Sequence, residues 1–377
     1  MKLKVLKEEL TFGLSVVSRI ATRNPNLPIL EGVLLNAEKN SLSLTTTDLE
    51  VGTKWWVLAK VEKPGKVVIP ARVVSDLVKL ISDRELQLES DKKSLLIKYQ
   101  NGENQIQGLE VNDFPLLPEA EGKTSVWVDS FKFCQGLKQI LYCVASSESR
   151  PEISGVYLQF EAKRIIMVAT DSFRLAEKIV EPVEKVQGDI KKLTFILPVK
   201  TAQQVIAVFE TMGKSIKIYL SPDQMVFESD VDGASHPQVQ IVSRLIEGTY
   251  PDYQGVIPKS FKTNVKLSRS QLLNKIKAAN LFSDQVREVQ LAIRPKEKKV
   301  YIESRSTKIG KSKASISATI KGEDLDISFN SKYLIDVLSN LSNEEIELKL
   351  NDGEKAGLLK PAGDTFYRYV LMPIKSA

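Results

Sequence analysis

The chain repeats itself at a fixed distance, and that constrains its fold more than any other property. LPILEGVLL (27–35) returns as RPEISGVYL (150–158): Pro28 aligns with Pro151, Gly32 with Gly155 and Val33 with Val156, an offset of 151 − 28 = 123. The same offset pairs Thr47-Asp48 of LTTTDLE with Thr170-Asp171 of MVATDSFRLA, and Val5 and Leu10 with Val128 and Phe133. One register held over about 45 residues marks a repeated supersecondary unit.

A third, looser copy comes next. VREVQLAI (286–293) takes the place of the GVLL and GVYL segments, and YIESRS (301–306) that of the TTTD and VATD segments. The second halves agree better. VVIPARVVSDLVKLI (67–81), FILPVKTAQQVIAVF (195–209) and ISFNSKYLIDVLSNL (327–341) each read as a short strand entering a helix. Each is followed by an alternating strand: ELQLES, IKIYLS and IELKLN. Leu272, Leu273 and Ile276 form one helix stripe of the third copy, and Tyr333, Leu334, Val337 and Leu338 another. One unit therefore reads strand, helix, three strands, then the same again. The expected fold class is α+β, in three repeated domains of two helices and two antiparallel sheets each. Their expected bounds are 1–123, 124–253 and 254–377, with proline-bearing linkers at FPLLPEAEGK (114–123) and YPDYQGVIPK (250–259).

Composition narrows the function classes. The 377 residues are 42% hydrophobic and 27% charged, an ordinary globular balance without low-complexity sequence. No run approaches the ~18 apolar residues of a membrane helix, and MKLKVLKEELT lacks the apolar stretch of a secretory signal. Cys134 and Cys143, nine residues apart (143 − 134) on one predicted helix, face opposite sides and are expected to be reduced buried thiols of a cytoplasmic protein. The single histidine, His236, excludes a multi-histidine metal site, and no G-x-S-x-G accompanies it. Three GK[ST] triplets have Leu117, Val208 and Arg305 where a phosphate loop needs its first glycine, so none is one. No carboxylate pair stands out by spacing. These absences point to scaffold or binding work, with no catalytic residue, metal or cofactor. Residues 1–123 carry 17 basic and 17 acidic side chains, 124–253 carry 14 and 16, and 254–377 carry 22 and 14, so the basic excess lies in the last third (22 − 14 = +8).

LPIL followed by TTDLE, then ATDSFRLA, YPDYQGVIP and the C-terminal VLMPI, resembles the bacterial DNA polymerase III beta subunit family, the sliding clamps. The resemblance runs the length of the chain. It implies half of a closed ring: two subunits joined head to tail, six similar domains, twelve helices lining a hole and sheets outside. Duplex DNA would pass through without sequence readout. Replicative polymerase alpha subunit, clamp loader, other polymerases and repair proteins would dock through short linear motifs carrying a glutamine and paired hydrophobic residues. A ring that slides needs weak phosphate attraction rather than base-edge contacts. Basic helix-face candidates are Arg19, Arg23, Lys138, Lys200, Lys275, Lys277 and Lys332.

Residue by residue, the resemblance implies DNA contacts at Arg23, Asn24, Ser149, Arg150 and Lys200. It implies a peptide groove from three segments: Ile153 with Thr170, Ser172, Phe173, Arg174 and Leu175; Pro251, Gly255 and Val256; and Val370, Met372, Pro373 and Ile374. Gly255 stands where some relatives have arginine, and Ile374 where they have methionine. At the dimer contact it implies Ile106 facing Leu281 and Phe282. The expected location is the cytoplasm, on the nucleoid, with no membrane partner. Two other readings stay open: a clamp paralogue serving a specialised polymerase or inhibitor resistance, and a DNA-processing enzyme, which would need clustered carboxylates for metal ions.

Overall fold

The computed structural model describes residues 1–91, 93–118, 124–147, 149–183, 187–188, 192–229 and 236–375. The first repeat runs β1 (Lys2–Leu6), α1 (Lys7–Val17), β2 (Gly32–Glu38), β3 (Ser41–Thr47), β4 (Val51–Lys63). It continues β5 (Gly65–Pro70), α2 (Ala71–Leu80), β6 (Glu85–Ser90), β7 (Ser94–Tyr99), β8 (Gly102–Gln107). The second runs β9 (Ser125–Asp129), α3 (Ser130–Leu141), β10 (Gly155–Glu161), β11 (Arg164–Thr170), β12 (Arg174–Val180). Then come β13 (Leu193–Pro198), α4 (Val199–Phe209), β14 (Ser215–Leu220), β15 (Gln224–Ser229), β16 (Val239–Arg244). The third runs β17 (Thr263–Ser268), α5 (Arg269–Asn280), β18 (Glu288–Arg294), β19 (Lys299–Ser306), β20 (Gly310–Ser317). It closes with β21 (Thr319–Lys321), β22 (Leu325–Asn330), α6 (Ser331–Asn340), β23 (Glu345–Leu350), β24 (Gly357–Pro361), β25 (Tyr367–Leu371). The expected order holds in all three copies, with β21 the one added strand.

Local chemistry explains the elements. In β14, Ile216, Ile218 and Leu220 point inward between half-exposed neighbours, and β23 repeats this with Ile346, Leu348 and Leu350. In α5 the buried residues Leu272, Ile276 and Ala279 follow helical spacing. Full burial of each such leucine or isoleucine side chain contributes roughly 1.5–3 kcal/mol. Side-chain caps start two helices of the third repeat: Ser268 Oγ accepts from Gln271 N (3.2 Å) and Asn330 Oδ1 from Lys332 N (3.0 Å). α3 ends at Leu141, so Cys143 sits in the turn beyond it rather than on the predicted helix; both cysteines are buried, and no disulfide joins them.

Pairing joins the repeats in a way their sequence does not announce. By contacts the chain forms two compact units, Met1–Cys134 with Pro182–Lys191 and Lys200–Leu245, and Gln135–Glu181 with Lys192–Val199 and Ile246–Ala377. In the first, a 12-stranded sheet runs β8-β7-β6-β1-β4-β16-β15-β14-β9. The 13-residue β4 is its pivot, meeting β1 at Ala59↔Val5 and β16 at Trp55↔Val239, while β3, β2 and β5 branch from it. In the second, a nine-stranded sheet runs β13-β10-β11-β12-β25-β24-β23-β17-β21 beside a four-stranded sheet β20-β19-β18-β22. Unit boundaries therefore fall inside the central repeat. Of the first linker, 119–123 lies outside the described residues. The second is anchored: Tyr250 and Tyr253 are buried, and Tyr250 stacks on Tyr157 at 4.9 Å.

Candidate functional site

The duplicated Thr-Asp pair builds the same tight turn twice. In Thr170-Asp171-Ser172-Phe173-Arg174, Asp171 Oδ1 accepts from the amides of Phe173 and Arg174, both at 3.0 Å. Thr170 Oγ1 donates to Arg174 O (2.7 Å) and accepts from Ser172 N (3.2 Å). In the first repeat Asp48 Oδ1 takes the amides of Glu50 (3.1 Å) and Val51 (2.8 Å), and Thr47 Oγ1 bonds Val51 O (3.1 Å). The price is a left-handed backbone at Ser172 (φ 76°) and Leu49 (φ 78°), a region that side chains other than glycine seldom enter.

Past the turn the two copies diverge. Arg174, 8% exposed, opens β12 and bonds three acceptors: Asp171 Oδ2 (2.9 Å), Asp336 Oδ2 (2.6 Å) and Tyr142 O (2.6 Å). Its guanidinium also lies 4.3 Å from the Tyr333 ring centroid. A planar fork with five donors suits such a hub, where a lysine ammonium would not. In the first repeat the matching residue is Val51. Gly52, the offset partner of Leu175, has Leu117 of the linker packed into the space a Cβ would need.

Beside the second turn is an apolar pocket of about 220 Å³. Ile153, Leu175 and Val370 are buried in its wall, while Phe173, Val256 and Met372 are exposed. Thr170, Ser172, Arg174 and Pro251 also line it, so ten of the thirteen groove candidates meet there. Gly255, Pro373 and Ile374 lie outside its lining. The C-terminal segment is tied down rather than frayed. β25 pairs with β12 (Leu175↔Val370), Met372 N donates to Phe173 O (2.9 Å), and Ile374 N donates to Ser328 O (2.8 Å). Beneath the wall Tyr253 Oη donates to the buried Glu177 (3.1 Å), and burial pushes the tyrosine pKa up.

Three lining residues were not among the groove candidates. Arg150, expected at DNA, lines the pocket with Nη1 donating to Ser172 Oγ (3.0 Å) and Nε to Glu152 (3.2 Å). Asp252 and Tyr253 also line it; their adjacency to Pro251 was the available signal.

The other candidates are scattered. Lys200 pairs with Asp48, whose side chain is 9% exposed. Arg19 and Arg23 are exposed past the end of α1, and Asn24 Oδ1 accepts from the amides of Asn26 (3.0 Å) and Leu27 (3.2 Å), shaping its own turn. Ser149 Oγ meets Ser147 Oγ at 3.1 Å, and Lys138 is half-buried on α3. Lys275, Lys277 and Lys332 are exposed on α5 and α6. Ile106 is buried on β8, Leu281 after α5 is 69% exposed, and Phe282 is half-buried. His236 stacks on Trp56 at 5.3 Å. Among the described residues no three His, Cys, Asp or Glu side chains gather as a metal site, and no helix is long and apolar enough to cross a membrane.

Known proteins divide along the same three segments. Residues 1–118 match the DNA polymerase III beta subunit N-terminal domain, 128–252 its central domain and 254–375 its C-terminal domain. The beta sliding clamp of Synechocystis is 28% identical with 100% of this chain and 99% of that one aligned, and that of Bacillus subtilis is 26% identical with 100% of both. The DNA polymerase sliding clamp structure from Bacillus subtilis superposes with a TM-score of 0.92 at 25% identity, and the DNA polymerase III beta subunit from Thermotoga maritima with 0.89 at 26%, each over 100% of both chains. With three clamp domains in the family's order, the chain belongs to the bacterial DNA polymerase III beta subunit family, the beta sliding clamps.

Proposed function

We propose that two copies close head to tail into a ring that holds duplex DNA by encirclement, and that polymerases and other DNA-handling proteins dock on it through short peptides. The three domains take residues 1–123, 124–253 and 254–377 and do no chemistry of their own. The observation that carries the docking half is the 220 Å³ pocket, which gathers ten of the thirteen groove candidates, from three distant segments, around an apolar wall with few polar groups. That is the chemistry of a site for hydrophobic side chains anchored by a few hydrogen bonds. Phe173 and Met372 on its open side supply adaptable surface for varied ligands. DNA is held without sequence readout through Lys200, Arg23 and exposed lysines of the helices.

The test loads the protein onto nicked circular DNA and then cuts the circle. Retention on the circle and loss on linearisation are expected; retention after cutting would defeat encirclement. A chain truncated before Met372 should lose affinity for a motif peptide by fluorescence anisotropy, while its mass stays at the dimer value of about 84 kDa (2 × 42.1). Full peptide affinity after truncation would place docking elsewhere.

A further inference from the structure

Alternation along β17, β23 and β24 sends one set of side chains inward and the other outward. Val265, Leu267, Ile346, Leu348 and Leu359 form the buried set. The outward set is basic. Lys266 of β17, Lys349 of β23 and Lys360 of β24 converge on Glu347, at 3.5, 3.5 and 3.7 Å. One carboxylate therefore faces three ammonium groups. Lys360 also donates to Asp364 O (2.9 Å) and its side chain is 17% exposed, whereas those of Lys266 and Lys349 keep 48% and 27%. On β21, Lys321 stands opposite Asn264 and has no ion-pair partner among the described residues. Arg368 of β25 pairs with Glu177 of β12 at 3.4 Å. With Glu345 included, this face sets five cations against three acids, a surplus of two (5 − 3).

The basic face runs into the apolar pocket. Register sets Leu175 opposite Val370, Val370 opposite Leu358, and Leu358 opposite Lys349. Leu175 and Val370 belong to the pocket wall. With strands ~4.8 Å apart, Lys349 stands about 10 Å from Val370. The row thus turns from apolar to basic within two strands. Leu358 shares one apolar cluster with Ile153, Leu175 and Val370, and Phe261 packs against it. Lys349 Nζ lies 5.9 Å from the Phe261 ring centroid, so the first lysine of the face touches the end of that cluster.

We infer that the pocket favours peptides carrying acidic residues beside their apolar anchors, and that Lys266, Lys321 and Lys349 select them. This rests on the docking reading and adds a charge preference to it. A side chain seated against Val370 leaves an extended peptide, at ~3.3 Å per residue, about three positions short of Lys349. A carboxylate there meets ammonium groups that Glu347 alone does not neutralise. A lysine or arginine at the same place is repelled, so the face discriminates between ligands that fit the apolar wall equally well. Part of the basic surplus of the third domain thereby serves ligand choice. Exposed ion pairs are individually weak, and screening over about 8 Å at physiological salt makes the preference strongest at low salt.

The experiment measures fluorescence anisotropy on the full-length protein. The probe is a labelled peptide with a glutamine and paired hydrophobic residues, used plain and with an aspartate run added at either end. At low salt wild type should bind one aspartate form roughly tenfold more tightly than the plain peptide, and that ratio should shrink as salt rises. In Lys266→Gln/Lys349→Gln the ratio should fall to about two or less. In Lys321→Glu, which leaves Glu347 its lysines, it should fall by roughly half. Circular dichroism checks that each variant is folded. Failure of wild type to bind any of the peptides would overturn docking itself. Equal affinity for all of them, or a ratio unmoved in both variants, would overturn only the charge preference. So would variants that lose retention on circular DNA with the ratio intact, because the face would then serve DNA.

Discussion

Replacing Arg174 by alanine tests whether one side chain both stiffens and shapes the pocket. The change strips a guanidinium from Asp171, Asp336 and the Tyr142 carbonyl, and from the face of Tyr333. Removing one partner of a buried charge cluster costs roughly 3–5 kcal/mol. The two carboxylates retain 17% and 24% exposure, so water recovers part of the loss and the low end, about 3 kcal/mol, is the expected value. For a cooperative unit of 150–250 residues that corresponds to a fall in Tm of roughly 6–12 °C. Scanning calorimetry should show it in one transition, and peptide affinity should fall because Arg174 also lines the pocket. Arg174→Lys keeps the charge but not the planar fork, and should recover less than half of the loss. An alanine variant melting within about 2 °C of wild type would refute the hub.

Lys200→Gln should lower the slope of log affinity against log salt on DNA by about one unit, whereas Asp48→Asn, which frees the ammonium, should steepen it. Unchanged slopes in both would remove Lys200 from the DNA surface. Burial raises the Cys143 thiol pKa and encloses Cys134 as well, so both should resist a thiol reagent near pH 8 until the protein unfolds. Rapid labelling with native circular dichroism would contradict that burial.

The repeat was legible because its signals are local. Alternating strands, helix stripes and the Thr-Asp turn each lie within a few residues, so a 123-residue offset exposes them directly. The joins between repeats were not, since β4–β16 and β12–β25 pair residues far apart in sequence. Arg174 shows the same division. Its place in ATDSFRLA marked it as a groove residue, but its partner Asp336 is 162 positions away and nothing in the local pattern names it. Arg150 was assigned to DNA by resemblance; its bond to Ser172, 22 positions away, places its guanidinium beside the pocket, which a loop position does not announce. The third copy is hardest to see because it lacks the Thr-Asp turn: Ser306 Oγ donates to Asp284 (2.6 Å) instead.

The leucine packed against Gly52 has a consequence for traffic. Duplication produces turns of equal shape, yet the linker's own Leu117 packs against Gly52 beside the first, whereas the apolar pocket opens beside the second. Under the proposed docking role, peptides that share this pocket would take turns. At ten times its Kd, one ligand leaves the pocket free about one time in eleven, and every rival waits for that interval. Order of access is then set by concentration and residence time.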